Sequence, residues 1–204
     1  MMKDHKDESK IEELIFMAFD DVREAYSIIS TEDNQYNRRA YIRSAFAAVE
    51  ALTYVIKQKC LSETSIRRGL FNEAEIALLK EETYGLNNKA EAITKNNYLP
   101  TADNFRFALS MYLRNSSTFK LDLSDGGWEF FNKALKIRHR IVHPKDPSDF
   151  LINDTDLETV HKGYSWFNWV VISAFVNAVE YLRNERDYLE AIFEERTKNK
   201  PVNE

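Results

Sequence analysis

The chain has 204 residues, 44% of them hydrophobic and 30% charged, and a formal net charge of −5. This length supports one well-buried core, the balance excludes a disordered chain, and the acidic excess excludes nucleic-acid binding over the whole surface. Five glycines and four prolines are too few to punctuate an all-β fold, and the lone cysteine, Cys60, allows neither an intramolecular disulfide nor a cysteine-based zinc site. The opening residues Met1 to Lys10 are charged and lack an apolar signal core. The most apolar run, Trp166 to Leu182, is interrupted by Asn168, Ser173, Asn177 and Glu180, so a buried helix is expected there and no membrane span. A cytoplasmic location follows as the expectation.

Apolar residues at Ile11, Leu14, Ile15, Ala18, Val22, Ala25, Tyr26 and Ile29 have helical spacing and predict a first helix over 11–29. A polar loop, Ser30 to Asn37, precedes a second long helix over 38–60. Its inward face is Tyr41, Ile42, Ala45, Phe46, Val49, Leu52 and Ile56, with small residues Ala45, Ala47, Ala48 and Ala51 permitting close helix approach. Asn72 and Glu75 form the spacing of a capping box and open a helix to about Glu82. The asparagine-rich stretch from Thr83 to Pro100 reads as irregular. Thr101 or Asp103 is placed to cap a helix ending at Leu113.

Ser124 to Gly127 start the next helix, Trp128 to about Val142. Asp154 or Thr155 opens the last, running to about Arg196 with a bend or break at Gly163. The sum is an all-α, up-and-down bundle of about five to six helices in a single domain, 1–204. Residues 61–120 read as a helical and loop insertion, and 1–9 and 197–204 as mobile tails. The aromatics Trp166, Phe167, Trp169, Phe175 and Tyr181 are expected in the core or a dimer interface, not in a base-stacking surface.

Chemistry concentrates in Ile137-Arg138-His139-Arg140-Ile141-Val142-His143-Pro144. From Lys133 to Lys145 there are five basic residues (133, 136, 138, 140, 145) and no acid. At about 100° per residue the apolar side chains of this helix cover half its circumference. Arg138 falls in the middle of that arc, whereas Arg140 falls on the polar face and reads as a solvated cation. A guanidinium on an apolar face needs a partner, and Glu50 in the small-residue stretch of the second helix is one. His139 and His143, four apart, are neighbours. A regular helix would hold Arg138 and His143 about 140° apart, but Pro144 pushes His143 out of helical geometry and frees its side chain to swing toward Arg138. On geometry alone a structural ion pair at a cationic helix end accounts for the cluster as well as a catalytic site does.

Arg138, His139 and His143, with Val142-His143-Pro144 at a helix end, resemble the HEPN superfamily. Its mark is an arginine, four to six residues and a histidine, with Asn, Asp or His commonly following the arginine. The stretch Arg43 to Leu52 looks like the small-residue helix that often precedes the motif. The resemblance implies a metal-independent endoribonuclease of toxin or antiphage-defence type, a homodimer with its two motifs facing one another, and an antitoxin or other regulatory partner. No cofactor and no metal are implied. In this reading Arg138 stabilises the phosphate, His143 does acid/base work, and His139 and Glu50 support them. Lys136, Arg140 and Lys145 are candidates for RNA contact. Lys145 stands where members paired with nucleotidyltransferase antitoxins carry a tyrosine, so control by modification there is not expected.

Two other readings compete. One keeps the fold without catalysis, as an inactive RNA-binding or scaffolding protein. The other makes His139 and His143 a metal pair, completed by His161 and Asp154. Arg140 stands where a zinc protease needs a glutamate, which counts against it.

Overall fold

The computed structural model describes residues 4–66, 69–114 and 118–198. The chain runs α1 (Asp4–Thr31), α2 (Gln35–Ile66), α3 (Glu73–Leu79), β1 (Glu82–Leu86), β2 (Ala92–Asn96), α4 (Thr101–Leu113), α5 (Gly126–Val142), a 3-10 turn (Pro147–Phe150) and α6 (Asp154–Lys198). It is a helical bundle with one small hairpin. α1 packs along α2, α5 along α6, and α2 lies at the centre, touching α4, α5 and α6 as well.

All seven inward positions read from α2, Tyr41 to Ile56, are buried, and Ala45 and Ala48 are fully so. They meet Phe105, Ala108 and Leu109 of α4, Phe131 and Ala134 of α5, and Phe167 and Val170 of α6 in one core. α4 therefore supplies part of the main core, although it lies in the segment read as an insertion. Trp166 and Phe167 are buried, Phe175 packs edge-on to Tyr112, and Trp169 is exposed beside Phe119. The Tyr181 side chain lies outside the described residues. Residues 4–9 and 197–198, read as tails, continue α1 and α6; the rest of both tails lies outside the described residues.

Several boundaries differ from the sequence reading for identifiable reasons. The stretch 83–100 contains an antiparallel hairpin, with Glu82 opposite Asn96 and Leu86 opposite Ala92. Asn87 closes its turn by accepting from the N–H groups of Lys89 (2.8 Å) and Glu91 (3.0 Å), so asparagine here is turn chemistry between two strands. α4 begins after Pro100 with no side-chain cap, not with Thr101 or Asp103. Asn72 and Glu75 do form the reciprocal capping box, at 2.9 and 3.0 Å.

α6 passes through Gly163 without a break. There the glycine lets two helices touch: a Cβ would lie 2.9 Å from the Phe130 carbonyl oxygen and from the Phe131 Cα of α5. Gly127, in the first turn of α5, makes the same allowance, since a Cβ there would overlap the Trp166 ring. α6 opens at Asp154, one of the two residues read from the sequence, and Asn153 before it accepts from the Asp156 N–H at 2.8 Å.

Candidate functional site

α5 is capped by Asp125, whose carboxylate accepts from the Trp128 N–H (3.2 Å) and, through its other oxygen, from Trp166 Nε1 (2.9 Å). One side chain thus caps the motif helix and fastens it to α6. The helix buries Phe131, Ala134, Ile137 and Ile141 along the stripe expected from its periodicity, and this sets the azimuth of the last turn.

Arg138, in the sector of that stripe, has a side chain 28% exposed, and its Nη2 donates to Glu50 Oε1 at 2.8 Å. Glu50, 51% exposed, is the partner proposed for it from the sequence. A guanidinium has five N–H donors, so the pair leaves others for a ligand.

His143 ends the helix with φ −124° and ψ 58°, outside helical geometry as the following proline requires, while its N–H still donates to the His139 carbonyl at 2.9 Å. Its ring lies against His139, with centroids 4.8 Å apart and planes at 51°. Both imidazoles are exposed. No hydrogen bond joins His143 to Arg138; the swing expected from the sequence brings the ring to its helical neighbour instead.

The reading of Arg140 as a solvated cation is corrected: its side chain is paired and 34% exposed. Its Nη2 donates to Asp156 Oδ2 (2.8 Å) and to the Leu151 carbonyl (3.0 Å), and its Nε is buried without a partner. After Pro144 the chain folds back through the 3-10 turn, and the start of α6 brings Asp156 against Arg140, while Glu129 and Lys133 on the same face stay exposed. The returning segment is clamped from α2 as well. Gln35 exchanges two hydrogen bonds with Ile152 (2.9 and 2.8 Å), and Arg38 spans Asp33, Asp154 and the Ile152 carbonyl. Arg39 donates to the Phe150 carbonyl at 3.0 Å and covers its ring. The motif's end therefore rests on a fixed base. Lys136 and Lys145 are exposed.

The metal reading finds no assembled ligand set. His161 stacks on Tyr26 (5.0 Å) and contacts the Tyr41 hydroxyl through Nδ1 (3.3 Å), while Asp154 is bound to Arg38. Among the described residues no group of three or more His, Cys, Asp or Glu is placed to hold a metal ion. Nor is any helix among them long and apolar enough to cross a membrane.

Glu50 also borders a cleft of about 330 Å³ between α2, α4 and the residues flanking the hairpin, Glu81 before it and Tyr98 and Leu99 after it. Of its lining only Glu50 was singled out as a site residue from the sequence, although Glu50, Thr53 and Tyr54 share one face of α2, with Lys57 a turn further on. Lys57 is buried, and its Nζ donates to Glu81 Oε1 (2.8 Å) and Asn104 Oδ1 (2.9 Å). That interruption of an otherwise apolar face was the available signal.

No protein-family model, no curated protein and no solved structure matches this chain.

Proposed function

We propose that this protein is a metal-independent endoribonuclease of the HEPN type, with Arg138 and His143 as its catalytic residues. The observation that carries this reading is the end of α5: a guanidinium held by Glu50 on the same helix end as two exposed imidazoles 4.8 Å apart. RNA supplies its own nucleophile. One imidazole removes the 2′-hydroxyl proton, the 2′-oxygen bonds to phosphorus, and the phosphorus–5′-oxygen bond breaks. A second imidazole, in its protonated form, delivers a proton to the leaving 5′-oxygen. The products are a 2′,3′-cyclic phosphate and a 5′-hydroxyl. The N–H groups of Arg138 not used by Glu50 stabilise charge building on the phosphoryl oxygens.

His143, at the free end of the helix, takes the primary acid/base role and His139 the supporting one. Exposed Lys136 and Lys145 serve the flanking phosphates. A homodimer that apposes two such helix ends, and a regulatory partner that restrains it in the cytoplasm, belong to the same reading.

The test is cleavage of total RNA by the purified protein in EDTA, with cyclic-phosphate ends scored on the products. Cleavage that survives chelation and vanishes in Arg138→Ala and His143→Ala is the expected result. Absence of cleavage in every condition replaces the enzyme with the alternative, an inactive helical RNA-binding or scaffolding protein, in which Arg138–Glu50 is a structural ion pair.

A further inference from the structure

The cleft beside Glu50 is built around one carboxylate. Glu81 is a non-glycine residue at φ 58°, a left-handed conformation that a turn fills at less cost with glycine or asparagine. Its backbone is held there by its N–H donating to the Leu78 carbonyl (3.1 Å) and its carbonyl accepting from Asn97 (2.7 Å). Its side chain is fixed by buried Lys57 and by Asn104, whose Nδ2 donates to the same Oε1 at 3.2 Å. Among the described residues only Oε1 is engaged, and the side chain is 36% exposed. A strained backbone, a buried lysine and an amide thus present one oriented carboxylate to the cleft.

The rest of the lining says what would meet it. Tyr54 and Tyr98 border the cleft and are largely exposed, Tyr98 by 74%, and exposed aromatic faces are stacking surfaces for planar ligands. Thr101 opens α4, whose first N–H groups have no side-chain cap and remain available donors. Lys57, the one cation of the cluster, is already bound, and a second carboxylate, Glu50, lies on the rim. A phosphate is therefore disfavoured. A guanidinium ligand would satisfy the carboxylates but leave the helix-end donors unused. A planar ring with two adjacent N–H donors next to a carbonyl oxygen uses both. The volume of about 330 Å³ is at the small end of the ~300–1,000 Å³ range of ligand sites.

We propose that this cleft is a base-recognition subsite for guanine, with the remaining oxygen of Glu81, Oε2, accepting from the adjacent N1–H and N2–H, the start of α4 donating to O6, and a tyrosine stacking on the ring. The inference rests on the ribonuclease reading for its substrate, single-stranded RNA, and places the guanine next to the scissile bond because Glu50 links the cleft to Arg138.

The test separates binding from cleavage. Guanosine, inosine, adenosine and the arginine analogue agmatine are titrated against the full chain by ligand-observed NMR. Guanosine is expected to bind roughly tenfold or more tightly than inosine, which lacks the N2 amino group, and adenosine more weakly still. Glu81→Gln should lose at least tenfold of guanosine affinity. Should that variant fail to fold, Tyr98→Ala, altered at an exposed side chain, should lose roughly tenfold with an unchanged circular dichroism spectrum.

Equal affinity for guanosine and adenosine overturns the proposal, as does tighter binding of agmatine, which would make the cleft a guanidinium cage. RNA cleavage with no preference for guanine and no guanosine binding removes the subsite and leaves the ribonuclease. Guanosine binding without cleavage of any RNA removes the ribonuclease and leaves the base site.

Discussion

Replacing Gly163 by alanine sets two physical effects against each other with opposite signs. Gly163 lies inside a continuous helix of 45 residues, where helix propensity alone makes alanine better than glycine by about 1 kcal/mol. The tertiary structure opposes this. The new Cβ would stand 2.9 Å from the Phe130 carbonyl oxygen and the Phe131 Cα, and 3.0 Å from the Phe130 carbonyl carbon. These are backbone atoms of α5 and cannot rotate aside, so α5 and α6 must part along their packed faces. Overpacking of this kind costs ~1–3 kcal/mol, and contact with rigid backbone places it toward the upper end. The net expectation is a loss of about 2 kcal/mol, which for a domain of this size lowers the melting temperature by roughly 4–8 °C. Thermal and urea unfolding followed by circular dichroism measure it. Because α6 sets the position of the motif helix, RNA cleavage should fall as well. A variant as stable as the wild type or more so would refute the reasoning, since propensity would then outweigh the helix contact.

Three further outcomes are expected. Asp125→Ala removes the α5 cap and the acceptor for nearly buried Trp166 Nε1. It should cost about 2–3 kcal/mol in urea unfolding, and wild-type stability would show that this carboxylate does not join α5 to α6. Lys57 holds the Glu81 carboxyl below the ordinary carboxylate range. A depressed folded value means that the stability from this pair is complete above about pH 4.3 and drains away as pH falls through the folded value. The stability gap between wild type and Glu81→Gln should therefore be constant near neutrality and shrink in acid; a gap independent of pH would contradict the pairing. Glu50→Gln breaks a half-exposed ion pair worth under about 1 kcal/mol, yet should lower kcat/KM for RNA cleavage at least tenfold by releasing Arg138. Unchanged cleavage with a clear loss of stability would make the pair structural.

The divide between what was legible in the sequence and what was not follows the range of the interactions. Local periodicity and capping are written in neighbouring residues. The inward face of α2, the Asn72–Glu75 capping box, the apolar stripe of α5 and the release of His143 by Pro144 could all be read from the chain. So could Arg138's need for a partner, because an arginine on an apolar arc must find an anion, and Glu50 answered it at 2.8 Å. Hidden from that reading were the features that depend on a second element arriving. Arg140 looked solvated until α6 supplied Asp156, and Gly163 looked like a break until α5 was packed against it. The asparagine-rich loop became a hairpin once its strands could pair.

The cluster of Lys57, Glu81 and Asn104 beside the cleft brings together three distant parts of the chain, and no spacing rule announces such a meeting. The sequence alone determined a helical chain with its basic chemistry gathered at the end of one helix. Only the tertiary structure decided which of those cations remain available. A charge is free or spent according to the groups that the folded chain places within hydrogen-bond reach of it.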